Sequence, residues 1–397
     1  MLKPNLDPEA LRVLALLRQR GPLPRNDIAD QLAFSRSKAT VIVNALLQLG
    51  IVQEIGEGDS SGGRRPRVLD FNPHFGYVIG VDMGATSLEM ALGDFRGQVL
   101  ERHYEPISIR QGPEEIMPLL VERALAMLAA HAIPTKQVLA LGVGVPAPIE
   151  FSSGLVVHPS NIRPWENYSI PSFLRQTFPD AAILVDNDAN VMALGELRYG
   201  MGQQHQQFIF VKVGTGIGAG IILNGQIYRG SNGAAGDIGH ISIDREGEAC
   251  YCGNVGCLES IAAGPAIARR ALKAAQEGKS PFLQQRLRLN GLLTAEDVAA
   301  AADDGDSSAN EIIQESGRTL GESLAGIVNF FNPSLIIIGG GVSRISPIFL
   351  VSIRRAILKH ALPLSTRHLT VDISGMVADV GVYGALALAL DHVFSGQ

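Results

Sequence analysis

The chain has 397 residues, enough for two or three domains with buried cores. With 46% apolar and 18% charged residues it reads as a folded protein rather than a disordered one, and a net charge of −6 gives by itself no pointer to nucleic acid. Three cysteines exclude a disulfide framework, and no apolar run approaches the roughly 18 residues of a membrane span. The opening stretch, MLKPNLDPEALRVLALLRQRG, mixes acids and bases into its apolar positions, unlike a signal peptide, so a cytoplasmic location is expected.

In chain order, Leu11, Leu14, Ala15 and Leu17 recur at helical spacing until Gly21-Pro22. A second short helix fits PRNDIADQLA, with Ile28, Ala29 and Leu32 inward. A third fits FSRSKATVIVNALLQLG: Ser35 is its N-cap, Val41, Leu46 and Leu49 turn toward a core, and Gly50 stops it. The tight turn at Ala33-Phe34 makes the last two a helix-turn-helix. The following IVQEIGEGDSSGGRRPRVLDFNP reads as a β-hairpin wing with a basic knot.

Residues 1–70 hold ten Lys/Arg against eight acids, a balance of +2, so the remainder carries −8. That asymmetry suits a nucleic-acid-binding appendage. Ser35, Arg36, Ser37, Lys38 and Thr40 open the recognition helix, where base edges and phosphates are met. Arg64, Arg65 and Arg67 of the wing suit phosphates or a narrow A·T minor groove. The competing reading is a small three-helix packing or dimerisation domain with a solvated basic face.

From residue 76 the pattern changes. YVIGVDMGATSLEMALGDFRGQVLERHYEP reads as three strands, with turns at Gly93-Asp94 and Gly97, before a helix over 113–131. The strands VLALGVGV and AAILVDND follow, the latter running into a helix that ends at Gly200. QQFIFVKVGTGIGAGIILNGQIYRG repeats the meander, with Asn224-Gly225 a hairpin signal. Helices dominate 257–331, and SLIIIGGG, a helix, HLTVDIS and a final helix complete the chain. A strand meander leading into alternating α and β thus occurs twice, predicting two similar α/β lobes around a cleft.

Asp82, Gly84 and Thr86 lie at one hairpin tip and Gly214, Thr215 and Gly216 at another, with Gly340 after a third strand. Glycine lets backbone approach phosphate, Thr hydroxyls donate, and Asp82 suits Mg²⁺; each loop alone also reads as an ordinary turn. Asn187-Asp188 end a buried strand, where Asp188 fits either a base for an attacking hydroxyl or part of a helix cap. His240, Cys250, Cys252 and Cys257 form H-x9-C-x-C-x4-C. Four protein ligands saturate tetrahedral Zn²⁺ and leave no position for an activated water, so a structural site is expected. The spacing also lacks the arm and HxxxH helix of a DNA-reading finger. The alternative is three reduced cysteines and an unrelated histidine.

Together, GAAGDIGHISID followed by CYCGNVGCLES, with DMGAT, VPAP, NDAN and GTGIGAG in order, resemble the ROK family (repressors, open reading frames, sugar kinases). The winged helix ahead of that body is similar to the family's sugar-responsive repressors, such as the xylose and N-acetylglucosamine ones. The resemblance implies an α/β, actin-like or hexokinase-type fold. It divides the chain into a winged helix-turn-helix over 1–72, a first lobe over 73–197 completed by a C-terminal helix within 380–397, and a second lobe over 198–379 with a structural zinc. It also implies a sugar site of Asn161, Asn187, Asp188, Asp237, His240 and Glu259, with Asp188 the catalytic base in kinase members. Trp165 is expected to pack the loop of Asn161. Asp237 stands where the family usually has Glu, Ala85 and Ser87 alter the first phosphate loop, and Ala147 replaces a glycine in VPAP.

The leading expectation is a sugar-gated transcriptional regulator, probing an inverted repeat as a homodimer or homotetramer. Sugar binding would close the lobes and shift the paired heads away from the DNA-competent state. The second is a bifunctional kinase, for which ATP and Mg²⁺ would be needed; the third is a scaffold with both sites relict.

Overall fold

The computed structural model describes residues 6–57, 67–159, 162–376 and 379–395. Arg64 and Arg65 of the wing and Asn161 lie outside the described residues. The first seventy residues build α1 (Pro8–Arg20), β1 (Leu23–Pro24), α2 (Arg25–Leu32), α3 (Arg36–Gln48), β2 (Val52–Glu57) and β3 (Arg67–Phe71). Asp7 caps α1 by accepting from the Glu9 N–H at 2.9 Å, and Pro8 at the first position needs no donor there. The buried stripe of α1 is Ala10, Val13, Leu14, Leu16 and Leu17, while Ala15 is exposed, contrary to expectation. α2 ends on Ala33 in the left-handed region (φ 55°), and Ser35 caps α3, accepting from the Lys38 N–H at 3.2 Å.

On α3 the stripe is Ala39, Ile42, Val43 and Leu46. Val41, placed inward from sequence, is 67% exposed, and so is much of Leu49. Each helical residue advances about 100°, so the stripe that buries Ile42 and Leu46 turns Val41 outward; Leu49 lies past the last turn as the C-cap. β2 and β3 pair antiparallel in a three-stranded sheet of order β1-β3-β2.

The rest of the chain runs β4 (Tyr77–Met83), β5 (Ser87–Asp94), β6 (Val99–Pro106), α4 (Pro113–Ala130), β7 (Val138–Val145), the ribbon β8 (Ile149–Glu150) and β9 (Leu155–Val156), α5 (Ile170–Leu174), β10 (Ala182–Asn187) and α6 (Asp188–Tyr199). Then come β11 (Phe208–Val213), β12 (Ile217–Leu223), β13 (Gln226–Tyr228), α7 (Leu258–Ala262), α8 (Gly264–Gln276), α9 (Pro281–Asn290), α10 (Ala295–Asp303), α11 (Ser307–Phe331), β14 (Leu335–Gly339), α12 (Pro347–His360), α13 (Pro363–Thr366), β15 (Thr370–Ile373) and α14 (Val380–Ser395). The two five-stranded sheets are ordered β10-β7-β4-β5-β6 and β13-β12-β11-β14-β15. Numbered within each sheet both orders read 5-4-1-2-3 in one direction, so the repeated meander is a repeated topology. Among these strands Gly93 and Asp94 stay paired at the end of β5, and the turn falls at 95–98 instead. The Asp94 carboxylate holds it, accepting from the Arg96 and Gln98 N–H groups at 2.9 Å each. Asn224-Gly225 turns as expected, both residues at positive φ (52° and 68°).

The chain forms two compact units. One comprises Met1–Val143, Ser169–Val185 and Ala385–Gln397; the other comprises Gly144–Tyr168 and Asp186–Gly384. In the first, Phe71, Phe75, Phe95 and Phe394 form an aromatic cluster with centroids 4.9–5.5 Å apart. Arg18 of α1 pairs with Asp391 of α14 and lies 5.0 Å over the Phe394 ring, clasping the head to the C-terminal helix. In the second, α7, α8, α10, α11 and α12 enclose a core with β11 and β14. No helix among the described residues is long and apolar enough to cross a membrane.

α6 and the start of α14 meet backbone to backbone. A Cβ on Gly384 would lie 1.8 Å from the Val191 carbonyl oxygen, and one on Gly195 2.3 Å from that of Val380. Gly384→Ala should therefore cost about 1–3 kcal/mol in denaturant unfolding. Gly326→Ala on α11, with nothing within 4 Å of its Cβ position, should be neutral or stabilising through helix propensity. Equal effects at both positions would refute the contact.

Candidate functional site

The strand AILVDN delivers Asn187 and Asp188 to the start of α6. The cap is Asn187: its Oδ1 accepts from the Ala189 N–H at 2.9 Å, while its Nδ2 donates to the Ala147 carbonyl of VPAP at 3.1 Å. Asp188 is thereby spared as a cap and is a buried first helical residue whose Oδ2 accepts from Lys212 Nζ of β11. Beneath it Asp186 accepts from Arg229 Nε and Asn190 Nδ2, each at 2.8 Å. Lys212, Asp186, Asn190 and Arg229 escaped the sequence reading, although a lysine inside the apolar run FIFVKV is a visible signal.

Beside this cluster runs the β11–β12 turn with Gly214, Thr215 and Gly216. The Ile217 N–H donates to Glu259 Oε2 at 3.0 Å, and a Cβ on Gly216 would come within 2.5 Å of the same oxygen. Glu259 is thus seated against the turn and keeps its other oxygen. Gly340, at φ 86°, lies against Val213, where a Cβ would be 2.5 Å from the carbonyl oxygen; the Gly264 N–H at the start of α8 donates to the Gly214 carbonyl at 2.9 Å. In the other unit, the Gly84 N–H donates to the Ser87 carbonyl at 2.8 Å, the Thr86 carbonyl accepts from Ile107 at 3.1 Å, and Asp82 is buried at the end of β4.

The GDIGH segment lies on the backbone of β12. Gly236 at φ 108° and Gly239 leave no room for a Cβ, which would fall 1.9 Å and 2.2 Å from the Ala219 and Ile217 carbonyl oxygens. Asp237 presents an accessible side, yet the protein packed around its carboxyl raises it above the usual carboxylate range, with His240 opposing.

The ligand atoms of His240, Cys250, Cys252 and Cys257 all lie within 4.8 Å of one another, a set able to hold a metal ion. His240 Nδ1 is 3.6 Å from Cys250 Sγ, and the thiols of Cys252 and Cys257 are 3.7 Å apart. The loop reaches this geometry through bridges pairing Ser242 with Cys257 and Ala249 with Val255. Cys257 opens α7, so Glu259 follows from the cluster by helical geometry. Burial, then the neighbouring thiols, push the Cys257 thiol up to about 12, and burial also raises Cys250. At Cys252 burial acts the same way but is outweighed by the Asn254 N–H and its neighbours, leaving it below the usual thiol range. Thiols raised this way are protonated at neutral pH without a cation, so metal binding must release protons. Apparent affinity for a divalent metal should fall by roughly tenfold or more from about pH 8 to about pH 6 in chelator competition; a flat profile would exclude the thiols as ligands.

On the head, the expected DNA-facing side chains Ser35, Arg36, Ser37, Lys38 and Thr40 are all exposed. Arg36 donates to the Asn26 carbonyl at 2.7 Å and pairs with Asp30 at 3.0 Å; Lys38 pairs with Glu9 and stacks 4.9 Å from the Phe34 ring. Ser35 is the cap, and Thr40 Oγ1 donates back to the Arg36 carbonyl at 2.8 Å. Arg67 pairs with Glu54, which Arg25 also reaches at 3.1 Å; these guanidiniums, Arg67 first, hold the Glu54 carboxyl below its usual range.

Residues 78–392 match the model of the ROK family. The chain is 30% identical over 385 residues to the xylose repressor of Caldicellulosiruptor bescii, covering 97% of this chain and 96% of that one. It is 34% identical over 309 residues to the glucokinase of Halalkalibacterium halodurans, covering 78% and 93%. A solved ROK family transcriptional regulator, a homologue of the E. coli MLC protein, superposes with a TM-score of 0.83 at 27% identity, covering 98% and 96%. With its repeated α/β topology, its NDAN turn and its His/Cys cluster, the chain belongs to the ROK family.

Proposed function

We propose that this chain is a sugar-responsive transcriptional regulator, acting as a repressor, that binds duplex DNA through its winged helix and a sugar around Asn187 and Asp188. The observation that carries this reading is a helix-turn-helix head, with its recognition-helix cations exposed, built onto a ROK body. The regulators match over almost the whole chain, head included, whereas the glucokinase matches 78% of it.

The head suits a duplex. Exposed ion pairs such as Arg36–Asp30 and Lys38–Glu9 are weak and screened by salt, so phosphates or guanine edges can take over the cations. Val41, exposed on the same helix, is placed for apolar contact such as a thymine methyl. The wing cations Arg64, Arg65 and Arg67 would add phosphate contacts. One recognition helix reads few bases, so a homodimer or homotetramer on an inverted repeat is part of the proposal.

For the sugar, Asn187, Asp188, Asp237, His240, Glu259 and Asn161 supply acceptors and donors suited to hydroxyls. The soft donor set of three thiols and an imidazole fits tetrahedral zinc, which when bound would lock the loop and supply no catalysis. With Nδ1 of His240 toward Cys250, Nε2 is the nitrogen left for the sugar. The path from the start of α6 to the head would run along α14, whose start meets α6 at the glycine contact and whose Asp391 and Phe394 meet Arg18 and Phe71. A kinase that also binds DNA is the second reading, favoured by Asp188, Gly214-Thr215-Gly216 and the glucokinase likeness; it would require ATP and Mg²⁺ about Asp82, Gly84, Thr86 and Gly340.

A screen of sugars by thermal shift, followed by operator binding with and without the stabilising sugar, tests the reading. An operator affinity unmoved by every stabilising sugar would refute it. Arg36→Ala should weaken operator binding by roughly tenfold while sugar stabilisation persists; losing both would indicate misfolding instead. Arg18→Ala should preserve both binding activities yet blunt sugar-induced release severalfold. Full release in that variant would dismiss the α14 route.

A further inference from the structure

We propose that Lys212 is a positioning residue of the sugar site, which commits Asp188 to accept a hydrogen bond from an uncharged, unphosphorylated sugar rather than to serve as a base. The inference rests on the sugar-regulator reading above and assigns a role to a residue outside the site first derived.

The starting point is where the lysine stands. β11 is the central strand of its sheet, and Phe208–Val213 is buried but for Lys212, which is half-buried. An ammonium in such a strand costs free energy unless an opposite charge meets it, and breaking the pair would leave a buried charge behind. In the ladder, Lys212 is flanked by Gly218 on β12 and Gly339 on β14. Both neighbours lack a side chain, so the aliphatic stem has a clear lane across the sheet. The same face looks at the start of α6: a Cβ on Gly218 would lie 3.5 Å from the Ala189 Cβ. The stem also passes the phosphate-type turn, 3.8 Å from a Cβ position on Gly214. The lane ends at Asp188, with side chains only 13% and 6% exposed for Lys212 and Asp188.

Two consequences follow from the chemistry of the pair. Oδ2 of Asp188 is committed to the ammonium, which fixes the carboxylate plane and leaves Oδ1 to accept from a hydroxyl. A base taking a hydroxyl proton would have to do so while its charge is already matched by Lys212. The second concerns ligand charge. The cation of this cluster is engaged by Asp188, while Asp237 and Glu259 add only carboxyl groups, and Arg229 is held by Asp186. A phosphate here would meet carboxylates and no uncommitted cation among these residues, so a neutral sugar is favoured.

The test uses the full-length protein with Lys212→Met, Lys212→Arg, Asp188→Asn and the Lys212→Met/Asp188→Asn double variant. Titrants are D-glucose, D-xylose, N-acetyl-D-glucosamine and D-glucose 6-phosphate. Lys212→Met should weaken the neutral sugar that binds wild type by roughly tenfold or more. Lys212→Arg, which keeps the charge, should restore most of that affinity. Each single variant should lower the melting temperature, and the double variant should recover it without recovering sugar binding, as expected for a buried pair removed together.

Sugar affinity in Lys212→Met within about twofold of wild type would overturn the proposal and leave a purely structural pair. So would tighter binding of the 6-phosphate that Lys212→Met abolishes, which would make the lysine a phosphate receptor. Wild-type turnover of ATP and sugar that Lys212→Met loses would likewise overturn it. Additive melting-temperature changes in the double-mutant cycle of Lys212→Met and Asp188→Asn would deny the pair itself, whatever sugar binds. Failure of the regulator reading looks different: tight, Lys212-dependent sugar binding with no effect on operator affinity.

Discussion

The contact between α6 and α14 is the constraint on which the other features depend. Glycine at 195 and 384 lets two helix backbones touch, and no compressible side chain separates them. A helix seated this closely has few positions open to it, because interiors are packed like crystals and respond by discrete shifts rather than by flow. α6 begins at Asn187 and Asp188, and α14 ends on Asp391 and Phe394, which meet Arg18 of α1. α14 is thus contacted near both of its ends, by α6 at its start and by Arg18 toward its end.

Around that joint the chain repeatedly uses glycine where backbone must lie on backbone. GDIGH rests on β12, Gly340 rests on Val213, and Gly216 admits the Glu259 carboxylate to the β11–β12 turn. These contacts seat the polar groups of the site on strands rather than on free loops, which is how a binding constellation keeps its geometry. The His/Cys cluster serves the same end. Its loop is polar and short, and it brings four ligand atoms able to hold a metal ion within 4.8 Å of one another, with His240 before it and Glu259 just after. His240, the three cysteines and Glu259 belong to one stretch of local structure.

Much of this was legible from residue patterns. The helix-turn-helix, the repeated strand meander, the hairpin at Asn224-Gly225 and the ligand set H-x9-C-x-C-x4-C follow from local rules of turn chemistry, periodicity and metal coordination. Misplacements came where a local rule met a tertiary one. Val41 sits on the outer face of α3 because the head selects a stripe through Ile42 and Leu46, and apolar character alone cannot say which stripe is chosen. Gly93-Asp94 stayed in β5 because strand pairing on both sides outweighed its turn propensity.

By itself, then, the sequence determined the classes of element, their order, the duplication and the members of the His/Cys cluster, since each is carried by residue pattern along the chain. Only the tertiary structure decided what Asp188 meets. That Lys212, twenty-four positions further along, crosses a glycine lane to reach it is a matter of sheet register and helix docking. It was likewise the fold that turned Arg36, Lys38 and Arg67 onto carboxylate partners and brought Arg18 to Asp391. Pairings between distant residues are set by how layers pack, and a linear pattern carries no coordinate for that.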